Sequence, residues 1–121
     1  MPIGYFGAST GAAAALVAAA RQPDRIAAVV SRGGRPDLAS EHLAQVTAPT
    51  LLIIGSLDDQ VVEFNRNALE QLRVECRLEL VAGATHLFEE PGTLDVVAAL
   101  AQDWFEHWLR APPAETTTGR L

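Results

Sequence analysis

The sequence of 121 residues contains no lysine and only one cysteine, and each shortage argues against a class of protein. Its nine basic residues are all arginine and stand against fifteen acidic residues, which gives a formal net charge of −6. A nucleic-acid-binding protein needs a basic face for the phosphates, so nucleic acid is not an expected partner. The lone Cys76 can form neither a disulfide framework nor a multi-cysteine zinc site.

Long hydrophobic runs are also missing from the sequence. The longest apolar stretch, residues 12–20, is about half of what a membrane-spanning helix requires. The first residues lack the basic region and apolar run of a signal peptide. The three histidines show no metal-ligand spacing, so no metal site is expected. We therefore expect a cytoplasmic protein that has no membrane partner.

The composition that remains is that of one folded domain. Hydrophobic residues make up 49% of the chain and charged residues 20%, which excludes an intrinsically disordered segment. The length suits a single domain, which we place at residues 1–110. Residues 111–121 are rich in proline and threonine without periodicity and are predicted to form a loose C-terminal tail.

Short apolar runs alternate with segments of helical spacing four times along this domain. This alternation predicts an α/β fold, with a four-stranded, mostly parallel sheet and helices on both of its faces. Ligands of such sheets bind at the carboxyl ends of the strands. The predicted strands lie near residues 3–6, 26–30, 50–54 and 78–81, and the predicted helices near residues 10–21, 37–46, 61–72 and 93–109.

The segment Gly7-Ala8-Ser9-Thr10-Gly11 matches the pattern G-x-S-x-G and lies between a predicted strand and a predicted helix. A serine on a very tight strand-to-helix turn needs small neighbours, which the two glycines supply. The amino end of the following helix favours negative charge near Ser9. The Thr10 N–H can therefore face a developing oxyanion.

Two further polar residues follow predicted strands at the same edge of the sheet. Asp58 lies in the predicted turn at 55–59 that follows the strand at 50–54, and His86 follows the strand at 78–81. Ser9, Asp58 and His86 thus occur in the order nucleophile, acid, base, which distinguishes the α/β-hydrolase arrangement from other Ser-His-Asp solutions. Asp59 is the alternative to Asp58 as the acid.

Three segments carry a resemblance to a known family: GASTG at 7–11, APTLLIIGSLD at 48–58 and GATHLF at 83–88. The chain resembles the C-terminal half of an α/β hydrolase of the dienelactone-hydrolase-like branch. The resemblance implies a truncated α/β-hydrolase fold in which Ser9 is the nucleophile, Asp58 the acid and His86 the base. It implies hydrolysis of a small carboxylic ester or lactone through an acyl-enzyme, with no cofactor.

The chain departs from this family in two respects. Dienelactone hydrolase proper has a cysteine nucleophile where this chain has Ser9, which favours a general esterase. The part that the family places before the nucleophile strand is absent, so the first strand is expected to be an exposed apolar edge. This edge and its flanking helices predict a homo-oligomer. The alternatives are a weak or inactive fragment that acts as a self-associating module, and a thioesterase or acyltransferase using the same triad.

Two arginines lie in the loop after the second predicted strand, on the same edge as Ser9. Arg32, and Arg35 beside it, could bind a carboxylate of the substrate, because a guanidinium contacts a carboxylate with two hydrogen bonds. Ion pairs with Asp37, Asp58 or Asp59 are the alternative. Arg32 is therefore a predicted substrate-binding residue.

Overall fold

A computed structural model describes residues 2–109 of the chain, and the predicted tail at 111–121 lies outside the described residues. The described part is an alternation of strands and helices, as the sequence predicts. The elements are β1 (Ile3–Ala8), α1 (Thr10–Arg21), β2 (Ile26–Arg32), a 3₁₀ segment (Pro36–Gln45), β3 (Thr50–Gly55), α2 (Asp59–Gln71), β4 (Cys76–Val81) and α3 (Thr93–Trp108).

The four strands form one sheet in the order β1-β2-β3-β4, and every neighbouring pair is parallel. The predicted α/β fold is confirmed. The strands β2 and β3 lie inside the sheet, and every residue of β3 is buried. This burial explains why the two inner strands are continuous apolar runs, since helices cover both of their faces.

Two apolar clusters cover the two faces of the sheet. On one face, α1, the 3₁₀ segment and α2 pack around Leu16, Leu43 and Leu52. On the other face, α3 packs through Trp104 against β3 residues that include Ile53. The sheet is thus the middle of three layers, and its carboxyl edge stays open between the loops that follow the strands.

The segment at Pro36–Gln45 differs from the predicted helix at 37–46, because it is 3₁₀ and not α. Ala39 interrupts it with φ −107° and ψ 15°. Its ends are held by short-range bonds, from Leu38 N to Arg35 O at 3.0 Å and from Val46 N to Leu43 O at 3.2 Å. The poorer geometry of 3₁₀ bonds usually limits such helices to short pieces, which fits the interruption.

The strand β2 runs two residues further than predicted and ends at Arg32, which pairs with Ala8 of β1. Ser31 and Arg32 are polar and carry no strand signal of their own, so the pairing with β1 decides the length. Within residues 2–109, no helix combines the length and apolar character that crossing a membrane requires.

Candidate active site

Ser9 occupies the turn between β1 and α1 with a strained backbone. Its φ of 52° and ψ of −123° lie in a region that residues other than glycine rarely adopt. The turn is tight because β1 and α1 approach closely at Gly7, where a Cβ would lie 2.5 Å from Gly11 O. At Gly11 itself a Cβ would meet no described atom within 4 Å, so the close approach depends on Gly7.

The structure brings Ser9, His86 and Asp58 together in a continuous hydrogen-bonded chain. Ser9 Oγ lies 2.9 Å from His86 Nε2, and His86 Nδ1 lies 2.7 Å from Asp58 Oδ2. The His86 side chain is 39% exposed and the Asp58 side chain 16%. The three residues follow β1, β4 and β3, so the carboxyl ends of three parallel strands supply the chain. Asp59, the alternative acid, is exposed at the first position of α2.

Two features hold the loop that carries His86. Glu90 accepts hydrogen bonds from Thr85 N at 3.1 Å and Thr85 Oγ1 at 2.7 Å, and the hydroxyl bond lowers the pKa of Glu90. Gly33, at φ 54°, lies against the imidazole, because a Cβ there would be 3.4 Å from His86 Nδ1 and Cε1. The ring is therefore fixed from its own loop and from the loop after β2.

The peptide bond between Ser9 and Thr10 has its carbonyl held on one side. Ser9 O accepts from Ala12 N at 3.1 Å and from Arg35 N at 3.2 Å. In a planar trans peptide the N–H points away from the carbonyl, so the Thr10 N–H is directed away from these two donors. It is also one of the first N–H groups of α1, which have no acceptor within the helix.

The two arginines, Arg32 at the end of β2 and Arg35 in the loop after it, have different surroundings. Arg35 forms two hydrogen bonds to Asp37, at 3.0 and 2.9 Å, so the ion pair considered for it in the sequence is present. The guanidinium of Arg32 lies over the Phe88 ring, 5.3 Å from its centroid. Among residues 2–109, Arg32 forms no ion pair with an acidic side chain.

Cys76 and a cavity between β4 and α3 lie away from this chain of residues. Cys76 begins β4, and burial raises the pKa of its thiol to about 12, so it stays protonated at neutral pH. In the described part of the chain, no cluster of three or more His, Cys, Asp or Glu side chains is placed to hold a metal ion. A cavity of about 340 Å³ lies between β4 and α3, and none of Ser9, Asp58 and His86 lines it.

Sequence reasoning missed the supporting residues of the site. Gly33 contacts the imidazole, and the Arg35 N–H holds the Ser9 carbonyl, but neither contact has a local sequence pattern. Asn65 offered one signal, because it stands on the buried face of α2 with Val61 and Ala68. A polar residue on an apolar face marks a buried hydrogen-bonded group.

Comparisons with known proteins agree with this architecture. The model of the dienelactone hydrolase family matches residues 2–111. A dienelactone hydrolase from Anabaena variabilis has a solved structure that is 61% identical with a TM-score of 0.87, covering 88% of this chain and 50% of that one. The esterase domain of a Rhodothermus marinus protein is 19% identical with a TM-score of 0.77, covering 88% of this chain and 60% of that one, and shares the fold.

A curated relative carries a different name. A protein of Mycobacterium tuberculosis strain H37Rv, whose name proposes a phosphoribosyl transferase, is 60% identical over 112 residues. The match covers 93% of this chain and 25% of that protein. The chain thus spans a quarter of this curated relative and half of the solved Anabaena structure.

Proposed function

The chain belongs to the dienelactone hydrolase family, and we propose that it hydrolyses small carboxylic esters or lactones through an acyl-enzyme on Ser9. The observation that carries this proposal is the continuous hydrogen-bonded chain from Ser9 through His86 to Asp58. The family match and the α/β-hydrolase fold of the esterase neighbours support the reaction class.

In the proposed mechanism, His86 is the general base. Asp58 Oδ2 accepts the hydrogen bond from Nδ1–H, which leaves the lone pair of Nε2 facing the hydroxyl of Ser9. As Oγ attacks the substrate carbonyl, Nε2 takes the hydroxyl proton, and Asp58 stabilises the imidazolium that forms. Asp58 is preferred to Asp59 because Asp58 contacts the imidazole.

The acyl-enzyme forms and breaks down through two related steps. The tetrahedral intermediate collapses when the bond to the leaving alkoxide breaks, and His86 Nε2–H protonates that oxygen. Water then attacks the ester of Ser9, with His86 again taking a proton and returning it to Oγ. The Thr10 N–H stabilises the oxyanion in both steps, where a preorganised donor contributes most.

Arg32 is the proposed substrate-binding residue. It is half-buried at the end of β2, and its backbone carbonyl accepts from Ser9 N at 3.2 Å, so it is next to the nucleophile in space. Its guanidinium lies over the Phe88 ring and forms no ion pair with an acidic side chain among residues 2–109, so its charge is available to a substrate carboxylate. We therefore favour substrates that carry an anionic group near the ester.

The nucleophile narrows the substrate class. Ser9 is a hydroxyl nucleophile that depends on a neighbouring base, unlike a thiol, which is partly ionised at neutral pH. The contact with His86 supplies that base. We favour a general esterase over an enzyme restricted to dienelactones, and the same arrangement would accept a thioester or a non-water acceptor.

The test is turnover of p-nitrophenyl acetate by the 121-residue chain, with labelling of Ser9 by a fluorophosphonate followed by mass spectrometry. We expect Ser9→Ala to lose labelling and to reduce the rate to background, and Asp58→Asn to reduce kcat by about 10³-fold or more. The matched variant Asp59→Asn should keep the unsubstituted rate, because Asp59 is exposed and the hydrogen bond of His86 Nδ1 goes to Asp58. Equal rates for the unsubstituted chain and Ser9→Ala would refute the proposal.

The phosphoribosyl transferase name of the Mycobacterium tuberculosis relative does not change this assignment. That name refers to a protein of which the chain matches a quarter. The hydrogen-bonded chain of Ser9, His86 and Asp58 supports acyl transfer, so we propose no phosphoribosyl transfer at these residues. Rates with O-acetyl and S-acetyl substrates of equal size will separate the esterase proposal from the thioesterase alternative.

A further inference from the structure

Asn65 is a fully buried polar residue on the inner face of α2, and it reaches outside its own helix. Its Nδ2 donates to Val61 O, one turn earlier in α2, at 2.7 Å. The same Nδ2 donates to Gly34 O, 31 residues away, at 3.1 Å. Gly34 is also buried, so its carbonyl depends on a protein donor.

The Gly34 carbonyl belongs to the same peptide unit as the Arg35 N–H, and that N–H donates to Ser9 O at 3.2 Å. A peptide unit is planar, so a bond that fixes its carbonyl also fixes the direction of its N–H. One peptide unit therefore connects Asn65 on one side with the nucleophile turn on the other.

A second peptide unit continues this connection toward the reacting atoms. Ser9 O and the Thr10 N–H belong to one planar peptide unit, and the carbonyl receives its hydrogen bonds from Arg35 N and Ala12 N. The direction of the Thr10 N–H follows from the position of that carbonyl. Hydrogen bonds in series also polarise one another, which strengthens the last donor.

We propose that Asn65 is a positioning residue for the oxyanion donor, acting through the Gly34–Arg35 and Ser9–Thr10 peptides on the Thr10 N–H. This inference rests on the proposed function of Ser9. Asn65 itself contacts neither substrate nor nucleophile, so its effect is on the orientation of a donor that is used in the transition state.

A contribution to the stability of α2 does not explain why an asparagine stands at position 65. The Oδ1 atom of Asn65 is buried and has no hydrogen-bond partner among the described residues. An unpartnered buried acceptor costs free energy of folding. Asn65 therefore retains a destabilising atom on an apolar face while its Nδ2 holds the loop that contacts Ser9.

The test compares Asn65→Leu with Thr50→Val in the 121-residue chain. Thr50 is equally buried, and its Oγ1 donates to Ala48 O at 2.9 Å, but it begins β3 at the opposite end of the sheet. Thr50→Val removes one buried hydrogen bond and Asn65→Leu removes two, of which the bond to Gly34 O lies in the connection to Thr10. We expect Asn65→Leu to lower kcat for p-nitrophenyl acetate about tenfold or more with an unchanged KM, since losing a whole oxyanion donor costs about 10²-fold to 10³-fold.

Binding of phenylboronic acid adds a readout that loss of stability alone does not move. Its adduct with Ser9 places an anionic oxygen at the oxyanion position, so its affinity should fall in Asn65→Leu by the factor by which kcat/KM falls. Thr50→Val should keep both kcat and boronate affinity. Unchanged kcat and boronate affinity in Asn65→Leu, with Ser9→Ala inactive, would overturn the inference and leave the proposed function intact.

Two further measurements keep the test decisive. If Asn65→Leu does not fold, Asn65→Ala removes the donor without adding volume or charge and should give the same loss of kcat. The NMR chemical shifts of the Arg35 and Thr10 backbone amides test the connection without requiring enzymatic activity. Both amide resonances should shift in Asn65→Leu and stay in place in Thr50→Val. A stationary Thr10 resonance in Asn65→Leu refutes the inference even where the chain shows no Ser9-dependent turnover.

Discussion

Ser9 has a backbone conformation that costs about 1–3 kcal/mol relative to an ordinary one, and its neighbours must hold it there. Its two peptide groups are held from β2 and from the loop after it. Ser9 N donates to the carbonyl of Arg32, the last residue of β2, at 3.2 Å, and Arg35 N in the loop donates to Ser9 O at 3.2 Å. The strained conformation of Ser9 is therefore held by the end of β2, by the loop after it and by the close contact at Gly7.

Substitution of Gly7 tests the close contact at this turn. In Gly7→Ala the new Cβ would lie 2.5 Å from Gly11 O and 2.7 Å from Ala12 Cα, and backbone atoms cannot move aside as a flexible side chain can. We expect a loss of about 1–3 kcal/mol in the free energy of unfolding, measured by urea titration with far-UV circular dichroism. Labelling of Ser9 should also slow, because β1 and α1 must separate.

Gly11→Ala is the matched control within the same motif. A Cβ at Gly11 would meet no described atom within 4 Å, and alanine favours the helix over glycine by up to about 1 kcal/mol. Gly11→Ala should therefore leave the free energy of unfolding unchanged or raise it. Equal losses in the two variants would show that the turn does not depend on Gly7 in particular.

At the scale of elements, the 3₁₀ segment gives the fold a pH-dependent contact. The Arg35 guanidinium hydrogen-bonds Asp37 and lowers the pKa of that carboxyl. Because the pKa of Asp37 is lower in the folded state, the contact stabilises the protein at pH values above the unfolded-state pKa of about 3.9. This stabilisation is lost as the pH falls through the folded-state pKa. We expect the free energy of unfolding to fall more steeply below about pH 4 in the unsubstituted chain than in Asp37→Asn.

The measurement is urea unfolding of both proteins at pH 7 and at pH 3. Asp24→Asn serves as the control, because Asp24 is exposed and forms no ion pair among residues 2–109. It should keep the pH dependence of the unsubstituted chain. Equal pH dependence in all three proteins would assign no stabilising role to the Arg35–Asp37 contact.

The elements also show what the sequence could predict. The helix at 10–21 and the buried strand at 50–54 were predictable, because helix propensity and a continuous apolar run are local signals. The α/β class was available from the alternation of apolar runs and helical segments, and the family and the order of Ser9, Asp58 and His86 were available from three short motifs. Their proximity then followed from one rule, that parallel strands end at the same edge of a sheet.

The remaining features depend on contacts between distant segments. Gly33 contacts His86, and Asn65 contacts Gly34, and each pair is far apart in the sequence. The segment Pro36–Gln45, which the sequence predicted as a short helix, is 3₁₀ and packs against α1 and α2. Such contacts have no local pattern, so the positioning of the site is the part that requires the structure.

At the scale of the whole molecule, the sheet has two unlike edges. The edge strand β4 carries Arg77 and Glu79, and charged side chains discourage pairing with another strand. The edge strand β1 carries no charge, and its Phe6 is 50% exposed and its Ile3 38%. In residues 2–109, β1 pairs only with β2, so its other side presents unpaired backbone groups beside exposed apolar side chains.

This asymmetry between the two edges predicts that the chain self-associates through β1. An uncharged edge strand with exposed apolar side chains pairs readily with a second chain. We expect light scattering after size exclusion to give a mass above that of the monomer at micromolar concentration.

Phe6→Lys should lower that mass, because a lysine on the edge must lose hydration when a second strand pairs there. Leu38→Lys is the matched control, since Leu38 is 57% exposed but lies in the 3₁₀ segment. A monomeric unsubstituted chain, or an equal effect of both substitutions, would exclude β1 as the contact.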